Sequence, residues 1–189
     1  FYLKHLNFMK VTIIVGGRFH AFNLAEQLHK SNFLKQLVTS YPKYYISKNF
    51  NIESKFVKSL IIKEVLHRSL KKINSIDRYF DIDLITSNLF DYQANKIIDF
   101  ENTDIIVGWS SFILKSFEIA KNYDCIKILE RGSSHIEYQK DILKEEYDLI
   151  GMKHNLPSSK IIDKEKKEYN LSDYICVPSE FSKKSFLEK

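Results

Sequence analysis

Glycine and proline are scarce in this chain, five and three among 189 residues, and it holds only two cysteines and one tryptophan. So few flexible or breaking residues leave little room for a Gly/Ser linker or low-complexity segment, and the length sits at the upper end of one ordinary domain. One domain is expected. Neither G-x-G-x-x-G nor G-x-x-x-x-G-K-[ST] occurs, which disfavours a nicotinamide enzyme and a P-loop NTPase. No G-x-S-x-G elbow and no H-E-x-x-H helix is present, so hydrolase and metalloprotease readings lack their chemistry. Cys125 and Cys176 lie far apart in apolar runs, where a free thiol acts as a small hydrophobe. Their spacing suggests neither a zinc site nor a disulfide framework, and a reducing cytoplasm fits. No apolar run approaches the roughly 20 residues that cross a bilayer. Lys4, His5 and Lys10 also interrupt the N-terminus where a signal peptide carries its hydrophobic stretch.

What is present is apolar material for one good-sized core, 44% of the chain, with a moderate net charge of +5 spread along it. That charge permits an anionic partner, but no RNA-binding aromatic signature or zinc-finger spacing points to nucleic acid. Short β-branched runs alternate with helical patterns. Strands are expected at "KVTIIV" (10–15), "QLVTSY" (36–41), "TDIIVGW" (103–109), "CIKILE" (125–130) and "DYICVP" (173–178). Their near-unbroken apolarity reads as buried parallel strands. Between them, Ala21, Leu24, Ala25 and Leu28 follow helical spacing, as Ile136, Leu143, Tyr147 and Ile150 do approximately. The pattern predicts an α/β fold with a doubly wound parallel sheet. Residues 42–100 lack an obvious central strand. Within them "SKFVKSLIIKEVLHRSLKKI" (54–73) mixes cations with apolar residues around the whole helical wheel, and is expected to be a helical insertion partly buried against the domain; a lipid or phosphate-rich surface is the minority reading. "FYLKHLNF" (1–8), ahead of Met9 and Lys10, is expected to be an extension outside the fold.

In such a sheet, ligands bind beyond the carboxyl ends of the strands. Three loops qualify. In "VGGRFHAFN", Gly16 and Gly17 allow a turn whose amides can approach a phosphate or sugar, and Arg18 and His20 add hydrogen-bonding groups; a plain tight turn is the alternative. In "GWSSF", Trp109 and Ser110 suit a sugar face, though Trp109 can equally cover the sheet and Ser110 or Ser111 can cap a helix. In "ERGSSHIE", Gly132 lets the backbone turn and Ser133 or Ser134 can cap the next helix. His135 stands at that helix's first turn, where a neutral imidazole can meet a substrate hydroxyl, and Arg131 can bind phosphate or pair with Glu130. "DID" at Asp81 and Asp83 is too short a pattern to carry a metal site. "VPSEFSKKSF" reads as a strand end, a Ser179 N-cap with Glu180 in the first turn, and an amphipathic helix using Phe181 and Phe186.

"KVTIIVGGRFHAFNLAEQL", "ERGSSHIEYQKDILKEEY" and "EKKEYNLSDYICVPSEFSKKSFLEK" resemble, in order, blocks from the N-terminal half of a family 4 (group 1) glycosyltransferase of the GT-B architecture. The blocks cover about a third of the chain. The resemblance implies a Rossmann-like, acceptor-side domain facing a C-terminal domain that binds most of a nucleotide-sugar donor. It implies retaining transfer to a saccharide, lipid-linked or other small acceptor by front-face substitution, with the nucleotide sugar as co-substrate and no obligatory metal. Gly16 and Gly17 would match the loop near the donor phosphates, and His135 the catalytic cleft histidine, with Arg18 and Arg131 as neighbours. The family's C-terminal domain has no counterpart here, so little transfer is expected without such a domain in cis or trans. A cytoplasmic location, with peripheral contact at the inner face of the membrane, goes with this reading. A non-catalytic nucleotide- or saccharide-binding module, or the acceptor subunit of a two-chain transferase, is the alternative.

Overall fold

The computed structural model describes residues 9–72 and 80–189. The expected extension at 1–8, and Ile73 at the end of the 54–73 segment, lie outside the described residues. Six strands follow one another as β1 (Val11–Val15), β2 (Leu34–Thr39), β3 (Val57–Ser59), β4 (Ile105–Trp109), β5 (Ile126–Glu130) and β6 (Tyr174–Cys176). They form one sheet in the order β3-β2-β1-β4-β5-β6, and all five pairings are parallel. The helices are α1 (Ala21–Lys30), α2 (Lys43–Asn49), α3 (Ile62–Lys71), α4 (Ile82–Ala94), α5 (Leu114–Ala120), α6 (Ile136–Leu149), α7 (Ser159–Leu171) and α8 (Glu180–Leu187). This is the Rossmann-like doubly wound α/β sheet expected from the sequence.

The central strands β1, β2 and β4 form where β-branched and other apolar residues are covered on both faces, while β5 and β6 are partly exposed. All of β1 is buried, and alternation divides its side chains between two cores. Ile13 and Val15, with Val107 and Trp109 of β4, pack with Phe22 and Ala25 of α1 and Ile46 of α2. Ile14 and Ile106 pack on the opposite face with Phe90 of α4, Phe117 of α5 and Ile162 of α7. Phe22, Phe90 and Phe117 are among the largest fully buried side chains, each stabilising the fold by about 1.5–3 kcal/mol relative to exposure.

Residues 54–71 differ from the single helical insertion expected. Ser54–Phe56 is a 3-10 turn, Val57–Ser59 is the edge strand β3, and only Ile62–Lys71 is helical. Over that shorter span, polar and apolar side chains do segregate to opposite faces. The polarity is partly inverted, however: Lys63 is buried whereas Ile62 and Val65 are more than half exposed. Two smaller expectations change because β6 and α8 lie at the sheet's edge. Cys176 is exposed, and Phe181 faces outward beside Tyr138 while Phe186 packs against the core. Ser179 caps α8 as expected.

The topology sets up the site. From β1 the chain moves outward through β2 and β3, then returns through α3 and α4 to β4 on the other side of β1. The loops after β1 and β4 therefore diverge at the carboxyl edge of the sheet, the place where open α/β sheets form a crevice. Among the described residues, no helix is long and apolar enough to cross a membrane.

Candidate functional site

The crevice is a cleft of about 370 Å³. One wall is Trp109, Ser110, Ser111 and Phe112 after β4; another is Arg131, Gly132 and Ser133 after β5. Phe19 closes one side, Lys63 and His67 enter from α3, Asp83 from α4, and Ile161 and Glu165 from α7. Asp83, Arg131, Ile161 and Glu165 also line an adjoining hollow with Gln139, Leu143, Pro157 and Ser158. Aromatic faces and hydrogen-bonding groups thus share one concave space, the composition of a small-molecule site.

Its polar groups are held by residues remote in sequence. Arg131 donates from one terminal nitrogen to Gln139 Oε1 at 2.6 Å, and its Nε lies 3.3 Å from Glu165 Oε2. Glu165 also accepts from Tyr169 OH at 2.7 Å and from Ser111 Oγ. Burial, followed by the charge on Glu165, holds the Tyr169 hydroxyl far above its ordinary pKa. Ser111 has a left-handed backbone, φ 73°, unusual for a residue with a side chain. Its N–H donates to Glu168 Oε2 at 2.6 Å. His67 Nε2 and Asp83 Oδ1 are 2.9 Å apart. Burial raises the Asp83 pKa, but hydrogen bonds from His67 and Lys71 outweigh it and leave the carboxyl below its usual value. Lys63 Nζ donates to the Gly16 carbonyl at 2.8 Å and lies 5.2 Å from the Phe112 ring centroid.

Behind the crevice, two buried carboxylates hold the start of α5. Its N-cap, Ile113, has no side-chain acceptor, so the open amides take theirs from other helices. Glu168 Oε1 accepts from Ile113 N at 3.2 Å and Leu114 N at 3.1 Å. Asp91 accepts from Lys115 N at 2.6 Å, Ser116 N at 3.0 Å and Ser116 Oγ at 2.7 Å. Burial pushes Glu168 up to about 8 against the opposing charge of Lys164, and it also raises Asp91. The Lys164 ammonium is shifted down by burial and donates to Asn88 Oδ1 at 2.8 Å.

The structure gathers Trp109, Ser110, Arg131, Gly132 and Ser133 into the crevice. It does not bring Gly16, Gly17, Arg18, His20, Ser134 or His135 into its lining. Gly16 is glycine because a Cβ there would lie 2.1 Å from the Phe112 ring, so the close approach is Phe112's. Gly17 is crowded in the same way by Phe19. Arg18 is exposed, and His20 packs edge-on against Trp109 with its Nε2 3.3 Å from Glu130 Oε2. Arg131 pairs with Glu165 rather than with Glu130, whose carboxylate lies beside His20.

The expectation of an exposed cleft histidine is corrected. His135 is 6% exposed and is itself the N-cap of α6, its Nδ1 accepting from Glu137 N at 3.3 Å. Its ring lies 5.1 Å from both Tyr169 and Phe186, and burial lowers its pKa. Neither Ser133 nor Ser134 caps that helix, and neither Ser110 nor Ser111 caps α5. Asp81 caps α4 by accepting from Leu84 N at 2.9 Å. Among the described residues, no group of three His, Cys, Asp or Glu is placed to hold a metal.

Sequence reasoning missed Lys63, Glu165 and Phe112. A signal existed for the first two: each is a charged residue on the inward stripe of an amphipathic helix, Lys63 with Leu66 and Leu70, Glu165 with Ile161, Ile162 and Tyr169. No protein-family model matches the chain, and neither a curated protein nor a solved structure matches it.

Proposed function

We propose that this chain is the acceptor-side half of a retaining, nucleotide-sugar-dependent glycosyltransferase. In this reading a second domain, in the same polypeptide or a partner, holds the donor diphosphate. The observation that carries it is the crevice at the sheet's switch point, where Trp109, Phe112 and Phe19 stand beside Ser110, Ser111, Arg131, Ser133 and Asp83. A sugar presents both an apolar C–H face and a rim of hydroxyls, and this lining supplies a surface for each. The resemblance of the strand-end blocks to the glycosyltransferase family supports the same reading.

The acceptor hydroxyl oxygen would form a bond to the donor's anomeric carbon as the bond to the diphosphate breaks. The hydroxyl proton would pass to the leaving phosphate oxygen on the same face. The crevice residues would position the acceptor, a saccharide or lipid-linked sugar, at the cytoplasmic face of a membrane. His135, a buried cap beneath the crevice edge, would act by holding the start of α6 rather than by contacting the sugar. The test is release of nucleoside diphosphate from a panel of nucleotide sugars and acceptors, with and without a family donor-binding domain supplied in trans or by fusion. Acceptor-dependent release only in the completed protein supports the proposal. Saccharide binding with no release across the panel favours a non-catalytic binding module, and turnover by the 189 residues alone shows that the donor site has been misassigned.

A further inference from the structure

We propose that Lys63 is the anion receptor of the crevice, and that the acceptor sugar bound there carries a compact anionic group, a phosphate or a carboxylate. This rests on the reading of the crevice as an acceptor site and names the acceptor's chemistry. Lys63 occupies the inward stripe of α3, where an apolar residue would ordinarily pack, and is only 8% exposed. Its Nζ has three N–H groups. One is used by the Gly16 carbonyl at 2.8 Å. A second makes a long contact of 3.4 Å to Glu64 Oε2, a carboxylate whose other oxygen, Oε1, accepts from Arg68 Nε at 2.8 Å. The remaining neighbour is the face of Phe112.

These contacts leave part of the ammonium's hydrogen-bonding capacity unused. The Gly16 carbonyl already accepts from the buried Ser40 hydroxyl at 3.0 Å, so it is satisfied without an ammonium. Burying a cation beside a carbonyl and a shared, distant carboxylate is costly, and an apolar side chain would fill the same position more cheaply. The other basic side chains lining the crevice are engaged: Arg131 by Glu165 and Gln139, His67 by Asp83. A compact anion on the ligand completes the coordination of Lys63 in a way that a neutral sugar does not.

The experiment titrates the 189-residue chain and its Lys63→Met and Lys63→Arg variants with four probes. These are methyl glucoside, glucose 1-phosphate, glucuronate and inorganic phosphate, followed by calorimetry and by the NMR signals of the Lys63 side chain. The proposal expects glucose 1-phosphate or glucuronate to bind about 10–100-fold more tightly than methyl glucoside, the increment expected of a hydrogen bond to a charged group. Lys63→Met should abolish that preference, Lys63→Arg should retain part of it, and the Lys63 signals should shift on binding. The stronger of the two acidic sugars identifies phosphate or carboxylate. Equal binding of methyl glucoside and the acidic sugars, with Lys63→Met unchanged, overturns the role of Lys63 while leaving the saccharide reading intact. Inorganic phosphate binding as tightly as the sugar phosphate overturns the acceptor assignment, and failure of every probe overturns both readings. Should Lys63→Met not fold, unshifted Lys63 signals at saturation in the parent chain overturn the proposal.

Discussion

Replacing His135 with alanine separates a buried cap from a cleft imidazole. The substitution removes the Nδ1 acceptor of Glu137 N–H and two ring contacts, with Tyr169 at 56° and with Phe186 at 85°. Loss of the cap costs about 1 kcal/mol. Each aromatic pair adds roughly 0.5–1.5 kcal/mol, giving a total near 3 kcal/mol. His135→Asn keeps a capping oxygen and loses only the ring contacts, so it should fall between the parent and alanine. Urea unfolding followed by far-UV circular dichroism measures the difference, with an expected midpoint shift of about 1–2 M for alanine. The pH dependence gives a second check. Burial lowers the folded-state pKa of His135 below the ordinary 6.5. Its stabilising contribution is therefore present above that value and is lost as the pH falls through the folded-state pKa, so the gap between parent and His135→Ala should narrow in acid. A loss below about 0.5 kcal/mol, with no difference between alanine and asparagine, would refute the reasoning.

Glu168→Gln should flatten the chain's stability profile. Its folded-state pKa is raised from 4.5 to about 8, so the group stabilises fully below about 4.5 and that contribution is lost as the pH rises through about 8. The glutamine variant should gain on the parent across that window in thermal melts, and parallel curves would contradict the assignment. Gly108→Ala should destabilise by about 1–3 kcal/mol, because its Cβ would lie 2.5 Å from Cγ2 of the fully buried Ile113. A melting temperature unchanged by this methyl group would show that Ile113 can move aside.

The fold was legible where one stretch of chain carried its own evidence. β1 and β4 are short β-branched runs, and their burial beneath helices follows directly from that apolarity, whereas β5, equally apolar in sequence, buries only Leu129 and leaves Ile126 exposed. β3 escaped notice because three residues, Val57, Lys58 and Ser59, are too few to show a period, and an edge strand tolerates an exposed lysine. The site was half legible. Strand-end position alone located Trp109, Ser110 and Arg131, because parallel topology sends every such loop to one edge. Partners were not legible, since the Arg131–Glu165 contact joins two elements whose proximity only the packing of α7 decides. His135 shows the opposite error: a histidine at a loop–helix junction suits a cleft and a cap equally until the positions of Tyr169 and Phe186 are known.

Trp109 is the chain's one tryptophan; it borders the crevice and packs against Phe19 and His20, so its fluorescence reports on the crevice wall together with that packing. Titration of this signal with a panel of neutral and acidic saccharides tests most directly whether the crevice is a sugar site. The account predicts a saturable change in intensity or emission maximum with at least one saccharide, weakened by Arg131→Ala, and no such change with a non-carbohydrate solute of similar size. A signal that no saccharide alters, in a chain that unfolds cooperatively and is therefore intact, would contradict it.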